Sequence, residues 1–337
     1  MPGKIKTQSA VRRLTGCGLV FLLFSSLSFV LWGQQDLAIS PAAKADAHAA
    51  TAAVIKSGTT IRVDSDLVLI PVTITDKGGK AVTGLELEHF TVFEGNTQQK
   101  ITHFSAEDAP SSIGIVIDTS DSMKPNLRRV RDSVNALLRS VNPQSELFLE
   151  KFSNRAEILV PMTSHFDEIR NRLDGLQADG GTALLDGVRI AMVEMKKARC
   201  LRKAIIIVSD GEDNSSHWTV NELKTAVREQ DIVIYAIAIH DPNAPYDYWR
   251  QSTGPALLRD IANNAGGCMF PVGGAGQIPD VANKIGSWLR NQYVLGYVPD
   301  HATADGTYRK VEVKIERPKG FPRFHAVWRQ GYYLPKE

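Results

Sequence analysis

The run Ala204-Ile-Ile-Ile-Val208 is apolar on both faces of any strand it forms. Such a strand is stable only where helices cover both sides of the sheet, which is the condition of a parallel α/β sheet. The same signature recurs at Ile113–Ile117 and Ile232–Ile239, with helical periodicity in between. Leu127, Val130, Val134, Leu137, Leu138 and Val141 form one stripe, and Phe166, Ile169 and Leu173 form another. Further helices are expected from Thr182 through Met195, over Val220–Glu229 behind a Thr219 cap, over Pro255–Asn264 and over Ile278–Arg290. Leu147–Leu149, Ile158–Val160 and Met269–Phe270 supply the remaining short strands. This alternation predicts an α/β fold with a doubly wound, mostly parallel sheet over residues 109–291.

The flanks have a different period. Before the α/β region, Ile61, Val63, Leu67, Leu69 and Pro71–Ile74 alternate, and Phe90–Phe93 and Gln99–Phe104 follow without an intervening helix. After it come Tyr293–Tyr297, the strictly alternating Tyr308–Glu316, and Ala326–Tyr333. Each set leaves an apolar face and bare edges if it stands alone. The expectation is one β-sandwich-like platform built from residues 58–108 and 292–337, with the α/β region inserted in it.

The amino terminus reads as an address. Lys4, Lys6, Arg12 and Arg13 precede Gly18–Trp32, an apolar stretch of about fifteen residues where a membrane span needs about twenty. Residues 1–33 are therefore expected to be a signal peptide or an uncleaved amino-terminal anchor, and the Ala-rich residues 34–57 a flexible linker. The chain is then exported: periplasmic, displayed on the cell surface or secreted, touching a membrane only through the first segment. Cys17 falls within that segment, leaving Cys200 and Cys268, which either pair in an oxidising compartment or stay buried as thiols. Among the 337 residues, 39 Lys and Arg nearly balance 37 Asp and Glu, so nothing marks nucleic acid as a partner.

The chemistry concentrates at strand ends. Asp118-Thr119-Ser120-Asp121-Ser122 follows the first apolar strand directly and presents one carboxylate and two hydroxyls from one tight turn. Thr182 follows Gly180-Gly181, and Asp210 ends the strand Ala204–Val208. In an open parallel sheet ligands bind beyond the carboxyl ends of the strands. Asp118, Ser120, Ser122, Thr182 and Asp210 thus form a candidate metal site of hard oxygen donors, which favours Mg²⁺ or Mn²⁺ over zinc or copper.

This arrangement resembles the von Willebrand factor A family, as found in integrin inserted domains. The Asp-x-Ser-x-Ser loop, the later threonine and the later aspartate correspond to that family's metal-ion-dependent adhesion site, and all five positions are matched. The resemblance covers the α/β region and implies a Rossmann-like fold, one divalent cation, and a protein partner that completes the cation's coordination with a carboxylate. The flanking segments Val68–Gly95 and Gln292–Pro335 further resemble the secreted bacterial von Willebrand factor A-related proteins common in Acidobacteria.

Enzyme readings fit less well. Ile117-Asp118-Thr119-Ser120 lacks the all-β context and paired second motif of an aspartic protease. A haloacid dehalogenase-type phosphatase needs a carboxylate where Ser120 stands. No base is placed for a nucleophilic serine. No catalytic residue and no organic cofactor site are expected. The expected function is an extracytoplasmic, non-enzymatic adhesion or assembly module. The alternatives are a metal-dependent hydrolase and a structural envelope component whose cation braces the loops.

Overall fold

A computed structural model describes residues 67–240, 253–273, 277–299 and 307–333. The expected signal segment, the linker and the alternation at Ile61 and Val63 lie outside the described residues. Four strands come first: β1 (Val68–Asp76), β2 (Phe90–Glu94), β3 (Thr97–Gln99) and β4 (Ile101–Ser105). The α/β region follows with β5 (Ser111–Asp118), α1 (Leu127–Ser140), β6 (Glu146–Phe152), β7 (Ala156–Thr163), α2 (Phe166–Leu173) and α3 (Leu184–Met195). It continues with β8 (Arg202–Ser209), α4 (Val220–Arg228), β9 (Val233–Ile239), α5 (Thr253–Asn264), β10 (Met269–Val272) and α6 (Gln277–Arg290). Last come β11 (Tyr293–Tyr297), β12 (Tyr308–Ile315), β13 (Phe324–Trp328) and β14 (Gly331–Tyr333). Among the described residues no helix is long and apolar enough to cross a membrane.

The central sheet has the order β10-β9-β8-β5-β6-β7 and is parallel except for β7, which runs antiparallel to β6. Its pleat sorts the apolar runs onto two faces. Ile113, Ile115, Ile117, Ala204, Ile206 and Val208 face α1, α2 and α6, whereas Val116, Ile205 and Ile207 face α3, α4 and α5. Gly114 leaves room for a neighbour, since a Cβ there would stand 2.3 Å from the Phe148 ring. Thr219 caps α4 as expected: its Oγ1 accepts from the Glu222 N–H at 3.3 Å, while the Glu222 carboxylate accepts from the Thr219 N–H at 2.8 Å.

Strands from both ends of the described chain share two further antiparallel sheets, ordered β13-β1-β11-β4 and β14-β12-β2-β3. Between them lies a common core that includes Ile70, Val72, Val92, Leu295, Tyr297, Val311 and Val313. Two segments divide where the sequence reads as continuous. Gln99–Phe104 breaks at Lys100, and β3 and β4 join different sheets. Ala326–Tyr333 likewise breaks at Arg329-Gln330, with β13 and β14 in different sheets. A strand that crosses between sheets keeps its apolar period, so alternation alone does not mark the crossing. Among the described residues, hydrogen bonds that tie these sheets to the α/β region include the following. Tyr235 and Thr73 hydroxyls lie 3.1 Å apart, Trp288 Nε1 donates to the Gly79 carbonyl at 2.8 Å, and Arg329 Nη1 donates to the Gln230 carbonyl at 2.8 Å.

Cys200 and Cys268 are both free thiols. The strands they precede, β8 and β10, have β9 between them. Two strand spacings make about 9.6 Å, beyond the ~7 Å that a disulfide spans. Burial pushes the Cys268 thiol up to about 12.

Candidate metal centre

The chain proceeds from β5 toward β7 on one side of the central sheet and from β8 toward β10 on the other. β5 and β8 are therefore the neighbours at which the winding reverses, and a crevice opens beyond their carboxyl ends. Asp118 is the last residue of β5, and Asp210 directly follows β8. Adjacent parallel strands thus deliver two carboxylates to the same edge.

Backbone contacts fix the loops that carry the hydroxyls. The Thr119 N–H donates to the Phe152 carbonyl at 2.7 Å and turns the chain sharply out of β5. The Ser120 N–H then donates to Asp118 Oδ1 at 2.9 Å, and the Ser120 and Ser122 hydroxyl oxygens lie 3.0 Å apart. The loop leading to Thr182 is sewn onto this turn. Asp179 N–H donates to the Thr119 carbonyl at 2.8 Å, and Asp121 N–H donates to the Gly180 carbonyl at 3.0 Å. Gly180 takes a φ of +78°, in the left-handed region that glycine adopts without steric cost.

A third loop, following Asp210, locks Thr182. The Thr182 N–H donates to Asn214 Oδ1 at 2.9 Å, and the Asn214 and Ser215 N–H groups both donate to the Thr182 carbonyl. Asp213 Oδ1 accepts from the Leu184 N–H at 2.9 Å, placing a carboxylate at the amino terminus of α3. Gly211, with φ +93°, lets this loop pass the start of α5; a Cβ there would stand 2.5 Å from Gly254 backbone atoms.

Asp118, Ser120 and Thr182 are almost fully buried, Asp210 is half-buried and Ser122 is exposed. Burial raises the Asp118 carboxyl, and the neighbouring Asp210 carboxylate adds to the rise. Hydrogen bonds from Ser120 and Ser209 oppose it, and the balance leaves the group at about 6. Ser209 Oγ donates to Asp118 Oδ2 at 2.6 Å and accepts from the Gly211 N–H at 2.9 Å. Sequence reasoning missed Ser209, Asn214 and Asp213. Their partners lie 29 to 91 residues away, and only the residue pattern Ser209-Asp210-Gly211 sits close enough in sequence to hint at a role.

The donor set fits a divalent cation. Two carboxylates sit at neighbouring strand ends with hydroxyls beside them, and among the described residues neither Asp118 nor Asp210 has a Lys or Arg ion-pair partner. Among the described residues there is also no group of three or more His, Cys, Asp or Glu that could hold a metal. Asp121 is an exposed residue of the same loop, and His240 directly follows β9 with its N–H donating to the Val272 carbonyl.

Comparison with known proteins finds a family match over this region. Residues 113–212 match the family described as von Willebrand factor type A domain, a span that includes all five candidate ligands. An uncharacterized protein of Borreliella burgdorferi is 24% identical over 198 residues, which cover 52% of this chain and 57% of that protein. The chain spans between 16% and 57% of the length of the curated relatives it matches. Among solved structures, a von Willebrand factor type A protein from Catenulispora acidiphila gives a TM-score of 0.47 at 12% identity, covering 81% of this chain and 74% of that one. Proximal thread matrix protein 1 from the mussel byssus, with a zinc-occupied metal-ion-dependent adhesion motif, gives 0.45 at 19% identity, covering 58% and 49%. The similarity to the von Willebrand factor type A domain thus lies within the α/β region, over residues 113–212.

Proposed function

We propose that this chain is an exported, metal-dependent binding module in which Asp118, Ser120, Ser122, Thr182 and Asp210 hold one Mg²⁺ or Mn²⁺. A bound cation would neutralise the paired carboxylates and offer a coordination position to an acidic side chain of a protein partner. The observation that carries this reading is the delivery of two uncompensated carboxylates by adjacent strands, β5 and β8, to a rim of hydroxyls. Hydroxyl ligands donate weakly, so the cation keeps affinity for an outside carboxylate. Residues 58–108 and 292–337 serve as the platform for the α/β region, residues 109–291. Export is supported by the basic, then apolar, first 33 residues.

The test is capture of a partner from envelope extract by the immobilised chain in Mg²⁺, in EDTA, and with Asp118→Ala in Mg²⁺. The reading predicts a partner retained only in the first condition. Equal retention in all three would leave the cation a brace, and metal-dependent turnover of a phosphate or peptide substrate would make the site hydrolytic. Parallel titrations with Mg²⁺, Mn²⁺ and Zn²⁺ decide which ion the oxygen donors prefer.

A further inference from the structure

At the end of the β sheets, β1 leaves its sheet at Asp76 and β13 enters it at Phe324, the two residues facing each other in register. The turn after β1 is closed by Asp76 itself, whose Oδ1 accepts from the Gly78 and Lys80 N–H groups at 2.8 and 2.9 Å. That carboxylate is thereby engaged with its own turn, and Lys77 is lifted into solvent. From the other sheet, β12 ends at Ile315, and Arg317 follows with Nη1 donating to the Phe321 carbonyl at 3.4 Å. Between these strand ends lies a concavity of about 420 Å³ lined by Lys77, Ile315, Arg317, Arg323, Phe324 and His325.

Its charge is unbalanced, unlike that of the two arginines nearer the centre of these sheets. Arg309 has the Glu94 carboxylate at 3.0 Å and Arg329 has the Asp231 carboxylate at 2.7 Å. Among the described residues Lys77, Arg317 and Arg323 have no carboxylate ion-pair partner. The formal charge of the whole chain is only +2, so three cations at one hollow do not reflect a generally basic surface. Ile315 and Phe324 are half-buried against the sandwich core and give the hollow an apolar floor. Cations gathered at a concave, partly apolar surface strengthen one another's field. Two guanidinium groups offer forked donors matched to tetrahedral oxyanions, and the lysine adds a point charge.

We propose that this hollow is a binding site for a small, multiply charged phosphate group, free or carried on a lipid headgroup. The probe is inorganic pyrophosphate, titrated calorimetrically into the full-length chain in EDTA at constant ionic strength, so that the candidate metal site takes no part. Saturable binding is expected, at least tenfold weaker in Arg317→Gln/Arg323→Gln. A control pair, Arg128→Gln/Arg139→Gln, removes equal charge from exposed helix positions of α1 and should leave the affinity unchanged. Absence of saturable binding, or equal weakening in both pairs, overturns the proposal. If the first pair fails to fold, Lys77→Gln must weaken binding severalfold with an unchanged melting temperature; an unaltered affinity there also overturns it. Phosphatidic acid vesicles, whose headgroup is a phosphomonoester and so multiply charged, distinguish the source. Vesicle binding displaced by pyrophosphate assigns the phosphate to a headgroup, whereas pyrophosphate binding without vesicle association assigns it to a free anion. Vesicle association without pyrophosphate binding points to a diffuse surface contact and refutes the pocket.

Discussion

Glu94 and Asp118 are both carboxyl groups held by hydroxyls, one between the β sheets and one at the edge of the α/β sheet. Glu94 accepts from the Tyr297 hydroxyl at 2.7 Å, the Tyr332 hydroxyl at 2.8 Å and Arg309 Nη1 at 3.0 Å. Burial pushes its carboxyl up, but these hydrogen bonds and the Arg309 charge outweigh it and hold it below the ordinary value. Asp118 has hydroxyl and N–H donors too, yet its burial outweighs them, the charge beside it is another carboxylate that adds to the rise, and it is raised. The first region carries its own counter-charge and is complete as folded. The second leaves negative charge uncompensated, where a cation from solvent would complete it. The same residue chemistry therefore stabilises in one place and prepares binding in the other.

The comparison can be broken most forcefully at Glu94. Glu94→Ala leaves Arg309 and two tyrosine hydroxyls without their acceptor and should cost about 3 kcal/mol in urea denaturation. Because the folded carboxyl lies below its unfolded value, this stabilisation is present above the ordinary carboxylate range. It is lost as pH falls through the folded value. A loss that does not shrink on acidification would contradict the charge-paired description.

Glu150 on β6 sharpens the contrast from the other side. It is fully buried, among the described residues neither carboxyl oxygen has a hydrogen-bond partner, and burial followed by repulsion from Glu194 raises it well above its ordinary value. The folded state then binds the proton more tightly than the unfolded one, so stability declines as pH rises from the unfolded value through the folded one. Glu150→Gln should raise stability near pH 8 by about 1 to 2 kcal/mol and flatten that decline. A Gln variant less stable than the parent at that pH would show that Glu150 has a partner role. The smallest effect belongs to Asn214. Asn214→Ala orphans the Thr182 N–H and should cost about 1 kcal/mol while weakening divalent-ion affinity severalfold. Unchanged affinity would remove Asn214 from the support of the site.

The α/β architecture was legible because strands covered on both faces must be apolar throughout, as Ile113–Ile117 and Ala204–Val208 are. Asp118 and Asp210 were legible for a related reason: they end such runs, and a run's end marks the sheet edge. Local sequence also announced Thr219 and Glu222 as a helix cap. What stayed hidden depends on partners distant in sequence. Ser209 reaches Asp118 across adjacent strands, Asn214 reaches Thr182 across two loops, and neither is marked by spacing. The sheet changes at Lys100 and at Arg329-Gln330 were hidden because alternation records which residues are buried and not which sheet buries them. The antiparallel direction of β7 was hidden likewise, since Ile158–Val160 reads the same in either direction.

The most direct measurement is the melting temperature of the full-length chain in Mg²⁺ and in EDTA, for the parent and for Asp118→Ala. A cation bound only by the folded state stabilises by about 2.7 kcal/mol at a hundredfold excess over its Kd, which corresponds to roughly 5 °C or more for a domain of this size. The account predicts that rise in the parent, and in Asp118→Ala an EDTA melt within a few degrees of the parent's with no rise in Mg²⁺. An equal Mg²⁺ response in both proteins, or none in the parent, would contradict it.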